Sequence, residues 1–227
     1  MAVTIINPLY SLRNRVRQYG AVASGRQLLH AAIRRIYRFE NHVVFVIPGF
    51  SGHEFHDPCI HPLTGERIAK AATTGELTDE EVRLLSGLMA EESQGICAEI
   101  DGKLAGYAWV QFAGSYRFGQ GGNIELPEPC VVMKNLYVFP EFRGKAWGAK
   151  LNRARLSLIA AQKIPVVFII PENKYAIRNW EQLGFVRVAE VRQWRWLCRP
   201  WHMRIRRLSA LHEAEPILRA LDDAKGS

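Results

Sequence analysis

The segment from Asn135 to Ala149, NLYVFPEFRGKAWGA, constrains this chain more than any other. It begins as an apolar strand, turns a corner at Pro140 and passes through an Arg-Gly turn into an amphipathic helix that we predict to start near Trp147. The first turn of such a helix leaves backbone N–H groups without intrahelical acceptors. The sequence therefore predicts a binding site for an anion, a diphosphate, at this turn.

The composition of the turn supports this interpretation. Gly144 and Gly148 have no side chain to obstruct a close approach, and Arg143 and Lys145 add positive charge at the same place. A short glycine turn is nevertheless a loose pattern. A tight strand-to-helix connection that binds nothing is the alternative, and only the surrounding segments favour the binding site.

Those segments alternate between strands and helices. Val131 to Val138 is too apolar for a loop, and apolar residues recur with helical spacing after Ala149. Pro165 to Ile170 predicts a short buried strand, and Lys174 to Leu183 predicts a helix that Gly184 closes.

The part of the chain before the turn predicts further elements. We expect a first strand over His42 to Phe50, then a loop as far as Lys70 and a helix over Thr78 to Ser93 that starts with a capping box. Gln94 to Phe112 predicts a hairpin, and Ala113 to Pro129 a loop or short extra strand.

Two segments, VFPEFRGKAWGAKL and PENKYAIRNWEQLGF, resemble the two core motifs of the GCN5-related N-acetyltransferase (GNAT) superfamily. The resemblance covers about Val131 to Val188. It implies an α/β fold with a mixed, mostly antiparallel central sheet, flanking helices and, in this chain, an extra N-terminal helical arm. It also implies acetyl-CoA or another acyl-CoA as co-substrate, with its pantetheine arm between two splayed strands. The cofactor-binding residues that it implies are Leu136, Tyr137, Val138, Arg143, Gly144, Lys145, Ala146, Trp147, Gly148, Ala149, Asn173, Ala176 and Trp180.

The chain departs from the family's pattern at two positions. Ala146 stands where the family usually has glycine, which costs roughly 1 kcal/mol or more if φ is positive there. Trp180 stands where many relatives carry the tyrosine thought to protonate the leaving thiolate, and an indole N–H is not an acid of that kind.

The reaction implied is transfer of an acyl group to a primary amine, which must first lose its proton. A lysine-like amine with a pKa near 10.4 needs roughly 4.6 kcal/mol to become neutral at pH 7. Alternation along the strand places Tyr137 on the side opposite Leu136 and Val138, so Tyr137 is our candidate catalytic residue, with Asn135 and Cys130 behind it. Simple packing is the alternative role for Tyr137.

The chain divides by this reasoning into three parts. Residues 1–40 form a basic helical extension packed on the domain, 41–207 form the acyltransferase domain, and 208–227 form a tail or short helix. Arginines on one face of residues 9–38 could bind an acidic carrier protein or a membrane surface, while a solvated basic face is the plainer interpretation.

The net charge of +8 also suits a polyanion, but coenzyme A is itself an anion. A nucleic-acid binder using the Arg- and Trp-rich segment near 190–207 is a third, less favoured class. Four scattered cysteines indicate a reduced, cytoplasmic protein, and no apolar run reaches the ~20 residues of a membrane span.

The segment HEFHDPCIH, His53 to His61, contains side chains able to bind zinc but in no common metal spacing. We expect an ordinary or substrate-facing loop and no metal.

The function predicted is acyl-CoA-dependent N-acyl transfer, most simply N-acetyl transfer, to a small molecule or amino sugar. ELPEPCVVMKNLYVFPEFRG is similar to superfamily members from bacterial polysaccharide and envelope biosynthesis. A catalytically degenerate acyl-CoA-binding or regulatory module is the alternative.

Overall fold

The computed structural model describes residues 37–90, 92–197 and 199–226. Residues 1–36, which include most of the predicted N-terminal helical arm, lie outside the described residues. Cys198 lies outside them as well. Residues 37–40, predicted to end the arm, belong instead to a strand. Within the described residues, no helix is both long enough and apolar enough to cross a membrane.

The described chain forms ten strands, five α-helices and short 3-10 turns. The strands are β1 (Tyr37–Val46), β2 (Ile60–Pro62), β3 (Ser93–Ile100), β4 (Lys103–Gln111), β5 (Ser115–Phe118), β6 (Gly122–Glu125), β7 (Cys130–Val138), β8 (Ile164–Ile169), β9 (Val186–Trp196) and β10 (His202–Arg207). The helices are α1 (Gly65–Thr73), α2 (Asp79–Ala90), α3 (Trp147–Leu156), α4 (Lys174–Gln182) and α5 (Glu215–Asp223).

Eight of these strands form one sheet in the order β10-β9-β1-β8-β7-β4-β3-β2, and β5 and β6 form a separate hairpin. The pairs β1–β8, β2–β3, β3–β4 and β4–β7 are antiparallel, whereas β7 and β8 are parallel. The two parallel strands are joined by α3, as a parallel crossover requires. The sheet is therefore mixed and mostly antiparallel, which confirms the predicted fold class.

Helices cover both faces of this sheet. Val131 packs in a cluster with Leu156 of α3 and Ile177 of α4, while its neighbour Val132 packs in a cluster with Leu218 of α5. Because successive side chains of a strand point to opposite faces, α3 and α4 lie on one face and α5 on the other. The α5 face also carries α1 and α2, which surround Trp109 of β4.

Several boundaries differ from the sequence prediction. The first strand ends at Val46 instead of Phe50, because Pro48 and Gly49, with φ +57, form a turn. Part of the segment predicted as loop is helix α1, whose N-cap Thr64 accepts a hydrogen bond from the Arg67 N–H. The segment 113–129 contains the β5–β6 hairpin.

Two compact units divide the described chain. The larger consists of Glu40–Gln193 and residues 203–226, and it contains every residue of the candidate site described below. The smaller includes residues 37–39 and 194–202, except 198. Within it, the rings of Tyr37 and Trp196 lie 6.1 Å apart, and the Arg195 guanidinium lies 5.2 Å from the centroid of the Trp201 ring.

Candidate active site

The two parallel strands part after a short paired stretch. The register pairs are Cys130 with Ile164, Val131 with Pro165 and Val132 with Val166, and no later residue of β7 has a register partner in β8. β8 continues along β1 as far as Ile169, and β7 continues along β4. We call the space between residues 133–138 of β7 and the end of β8 the wedge.

A bulge marks the part of β7 that borders the wedge. Tyr137 pairs with Tyr107 and Lys134 with Trp109, so that Asn135 and Leu136 together stand opposite one residue of β4. This two-against-one arrangement is a β-bulge, and the φ of Asn135 is +48°. Asparagine is one of the few residue types that visit this region readily. We call Asn135 and Leu136 the bulge, and both are exposed.

The peptide group of Val138, after the bulge, points into the wedge. The N–H of Phe139 donates to the carbonyl of Ala105, 3.0 Å away, and therefore points toward the β4 side. Because peptide groups alternate along a strand, the N–H and C=O of Val138 point away from β4. The Arg143 Nε donates to the Val138 carbonyl at 3.0 Å, in agreement with that direction.

The turn that follows leads directly into helix α3, as predicted. Gly144 has φ +79 and the N-cap residue Ala146 has φ +58, and no side chain caps the helix. Among the described residues, the backbone N–H groups from Gly144 to Ala149 have no hydrogen-bond acceptor. These donors form the positive end of the helix dipole beside the wedge, an arrangement that favours an anion.

Gly148 and Ala146 differ in the steric cost of a side chain at each position. A Cβ added at Gly148 would lie 3.8 Å from Leu136 Cδ2 and 4.0 Å from Val138 Cγ2, which are ordinary contacts. The protein therefore has room for a side chain at Gly148. Ala146, in contrast, holds an L-residue in the left-handed region, so the steric cost anticipated from the sequence applies.

The second motif lies on the opposite side of the wedge, at the end of β8. Asn173 is the N-cap of α4, and its Oδ1 accepts the Ala176 N–H at 3.0 Å. Trp180 is only 3% exposed, and its ring packs edge-on against Phe185 at 4.7 Å between centroids. The indole thus lies in the core behind the wedge.

The candidate catalytic residue Tyr137 is half-buried on the face that carries α1 and α2. Its ring lies 5.1 Å from Phe139 and 5.7 Å from Tyr107, and the Arg143 guanidinium is 5.7 Å from the centroid of the Tyr137 ring. Burial raises the pKa of the neighbouring Tyr107 phenol. Of the two phenols, Tyr137 is the more accessible and borders the bulge.

Cys130 is separated from this region. It is 1% exposed and packs in the cluster with α5, and burial raises the pKa of its thiol to about 12. The thiol is therefore protonated at neutral pH.

The loop that contains His53 to His61 packs near the start of α3. Asp57 forms an ion pair with Lys150 at 2.9 Å and accepts a hydrogen bond from the Cys59 N–H at 3.0 Å. The Lys150 ammonium also lies 4.3 Å from the centroid of the Trp147 ring. Among the described residues, no group of His, Cys, Asp and Glu side chains is arranged to hold a metal ion.

Sequence reasoning missed one buried residue at the base of the wedge, Arg155. A basic residue near the end of an amphipathic helix is ordinarily assigned to the solvent. The available signal was its position on the apolar stripe of α3, four residues after Leu151 and eight after Trp147.

One comparison with known proteins identifies a family. A sequence model of the acetyltransferase (GNAT) family matches residues 65–185. No curated protein matches the chain.

Several solved structures are similar. A protein described as an acetyltransferase of the GNAT family from Novosphingobium aromaticivorans is 21% identical with a TM-score of 0.50, over 70% of this chain and 64% of that one. A GCN5-related N-acetyltransferase from Kribbella flavida is 12% identical with a TM-score of 0.41, over 70% and 60% of the two chains. The aminoglycoside N-acetyltransferase AAC(6')-Iy, solved with CoA, is 20% identical with a TM-score of 0.39, over 56% and 90%. The chain thus spans less than two thirds of the first of these relatives.

Proposed function

The chain belongs to the acetyltransferase (GNAT) family, and on this premise we propose that it transfers an acyl group, most simply acetyl, from coenzyme A to a primary amine. The observation that carries the proposal is that the wedge and the start of α3 adjoin each other. The wedge between β7 and β8 leads directly to the uncapped start of α3, so one elongated ligand with an anionic end can occupy both.

The anionic end of acyl-CoA is proposed to bind at the turn. Its pyrophosphate accepts hydrogen bonds from the free N–H groups of residues 144–149, and the exposed Arg143 and Lys145 side chains supply charge. The protein could hold a side chain at Gly148 without a clash, so its absence there is proposed to leave space for the phosphates. The residues proposed for this part are Arg143, Gly144, Lys145, Ala146, Trp147, Gly148 and Ala149.

The pantetheine arm is proposed to bind in the wedge as a strand would. The peptide group of Val138 points there, so an extended amide-containing chain can pair with it, and Leu136 is proposed to pair with the same chain. Asn173 and Ala176 line the opposite side through the capped start of α4, and Trp180 supports that helix from the core. Tyr137 completes this part of the proposed site.

The chemistry follows from this placement. The neutral amine attacks the thioester carbonyl, a C–N bond forms, the C–S bond breaks, and the amine proton is lost while the thiolate gains one. The Tyr137 phenol, at the bulge and accessible, is proposed to donate the proton to the thiolate. Because Tyr137 faces away from α3 and α4, the amine is proposed to approach from the face that carries α1 and α2.

The acceptor proposed is a small amine or an amino sugar, in keeping with the similarity to polysaccharide and envelope enzymes noted from the sequence. Fold and co-substrate leave the acceptor open, because one fold serves many acceptors. An acidic carrier protein or a membrane surface remains a proposed partner of the basic segment 9–38.

One observation favours a second candidate, an acyl-CoA-binding module without turnover. The position where relatives place a catalytic tyrosine holds the buried indole of Trp180. If Tyr137 is only a packing residue, the site binds acyl-CoA and has no proton donor at the sulfur.

Calorimetry with acetyl-CoA and with CoA tests the binding. We expect affinity to be lost in Arg143→Glu and Gly148→Asp and retained in Arg153→Glu, which changes an exposed arginine of the same helix. No binding by the wild type at millimolar concentration would overturn the proposal. Thiol release from acetyl-CoA over a panel of amines and amino sugars then separates the two candidates, because only the enzyme turns over.

A further inference from the structure

Arg155 is a buried cation at the base of the wedge. It lies in the last turn of α3 and is 1% exposed. Among the described residues no carboxylate pairs with it. Its burial lowers the pKa of the guanidinium to about 9, so the group still carries its charge at pH 7. A charge held in the core without a carboxylate must be stabilised by other acceptors.

Those acceptors are two backbone carbonyls at one end of the bulge, one on each strand. Nη1 of Arg155 donates to the carbonyl of Trp109 on β4 at 3.2 Å and to the carbonyl of Lys134 on β7 at 2.9 Å. Trp109 and Lys134 are the register pair at which the β4–β7 ladder shifts. A bulge disrupts the ladder locally, and Arg155 adds a side-chain donor to the carbonyls of the two residues that pair at this point.

The same side chain connects the bulge to both helices of that face. Nη2 of Arg155 donates to Oδ1 of Asn152, and Nδ2 of Asn152 donates to Oδ1 of Asn179 on α4 at 2.6 Å. The guanidinium also lies 5.2 Å from the centroid of the Trp180 ring. β4, β7, α3 and α4 therefore meet at Arg155, just where β7 has lost its pairing with β8.

We propose that Arg155 is a positioning residue of the acyl-CoA site, which fixes the bulge so that the backbone from Leu136 to Val138 is held in place to pair with the pantetheine arm. This inference rests on the proposed function. Arg155 touches no reacting atom and acts through the Lys134 and Trp109 carbonyls. Among the described strands, none pairs with this part of β7 on the wedge side, and α3 supports it there through Arg155.

The position of Arg155 along the helix makes the proposal testable with a fragment of the ligand. Arg155 is eight residues beyond Trp147, about 12 Å along the helix from the turn that is proposed to bind pyrophosphate. A change at Arg155 should therefore weaken binding of the pantetheine arm and leave binding of the nucleotide end unchanged. General destabilisation of the fold would not separate the two ends in this way.

The experiment compares acetyl-CoA with 3′-phosphoadenosine 5′-diphosphate by calorimetry in Arg155→Met, Arg155→Lys and the control Arg153→Met. Arg153 is the exposed neighbour on the same helix, so the control removes an equal charge. We expect Arg155→Met to lose at least about tenfold in acetyl-CoA affinity and less than about twofold in nucleotide affinity. Arg155→Lys, which keeps a donor, should fall between wild type and Arg155→Met, and Arg153→Met should bind like wild type.

Thermal unfolding is measured for each variant, and if Arg155→Met does not fold, Arg155→Lys decides the question. Equal losses for both ligands, or an unchanged acetyl-CoA affinity in a folded variant, would overturn the positioning role. If the wild type binds the nucleotide and acetyl-CoA equally well, the pantetheine arm contributes nothing and the inference also fails. If the wild type binds neither ligand, the proposed function itself fails.

Discussion

Gly106 of β4 lies directly against the backbone of Tyr137 in β7. A Cβ added at Gly106 would stand 2.6 Å from the Tyr137 carbonyl oxygen and 3.2 Å from Val138 Cα. Gly106 pairs with Val138 in the register, so this close contact lies in the part of β7 that borders the wedge. The contact is with backbone, which cannot rotate away as a flexible side chain could.

We therefore expect Gly106→Ala to push β7 toward the wedge. The substitution should lower the free energy of unfolding by about 1–3 kcal/mol, as overpacking does, and weaken acetyl-CoA binding by about tenfold. Urea unfolding and calorimetry measure the two effects. Gly87→Ala in α2, where an added Cβ meets nothing within 4 Å, is the control and should be neutral or slightly stabilising. Wild-type stability and affinity in Gly106→Ala would contradict the close approach.

Gly148→Ala tests whether this position matters for ligand binding but not for stability. The added methyl group would make only ordinary contacts with Leu136 and Val138, and alanine is the better helix former by roughly 1 kcal/mol. We expect a melting temperature equal to or above that of wild type, together with acetyl-CoA affinity reduced at least about tenfold. A variant that binds acetyl-CoA normally would show that the ligand does not approach this backbone.

Ala146→Gly should relieve the strain at the start of α3. An L-residue with φ +58 costs roughly 1–2 kcal/mol, while glycine increases the entropy of the unfolded chain by about half of that. We expect the free energy of unfolding to rise by about 0.5–1 kcal/mol, measured by urea unfolding. Ala149→Gly, within the first helical turn, is the control and should lower it by a similar amount. A loss of stability in Ala146→Gly would mean that the methyl group makes a compensating contact.

Local signals in the sequence predicted much of this region. The apolar run before Val138, the Arg-Gly turn and the helix near Trp147 were all visible, because strand and helix periods and glycine turns are local properties. The capping box was confirmed as well: Thr78 N–H donates to Glu81, and Glu81 N–H donates to the Thr78 hydroxyl.

Features that depend on tertiary contacts were not predictable in this way. The bulge at Asn135 leaves no trace in the apolar pattern of β7, since one residue in the left-handed region only shifts the register against β4. Trp180 is buried against Arg155, which lies much earlier in the chain, and against Phe185, which follows the turn after α4. Helix α1 was missed because its short apolar stripe, Ile68 and Ala71, lies in a segment that is otherwise polar.

The ion pair between Asp57 and Lys150 should make stability depend on pH. Burial alone would raise the pKa of Asp57, but the hydrogen bonds from Lys150 and the Cys59 N–H, and the charge of Lys150, outweigh burial and lower it. A carboxyl whose pKa is lower in the folded state stabilises the fold above its unfolded pKa of about 3.9 and loses this contribution as the pH falls through the folded pKa.

Asp57→Asn removes the charge and keeps an oxygen for the Cys59 N–H. Since Lys150 is partly exposed, we expect a loss of only about 0.5–1 kcal/mol at pH 7, shrinking toward zero near pH 3. Urea unfolding at both pH values measures it, with Asp223→Asn, an exposed carboxylate of α5, as the control. The same loss at pH 7 and pH 3 would show that the charge of Asp57 is not responsible.

Tyr137→Phe tests the proposed proton donor. The ring contacts with Tyr107 and Phe139 remain when only the hydroxyl is removed, so folding and acetyl-CoA affinity should change little. If the phenol protonates the leaving thiolate, kcat should fall by ~10²-fold or more while KM for acetyl-CoA stays the same. Tyr107→Phe, which alters the more buried neighbouring phenol, is the matched control and should keep most of the activity. Both variants are assayed by thiol release with the best amine from the acceptor panel. Normal turnover in Tyr137→Phe would remove Tyr137 from the mechanism and leave water as the acid, since the indole of Trp180 is buried and cannot serve.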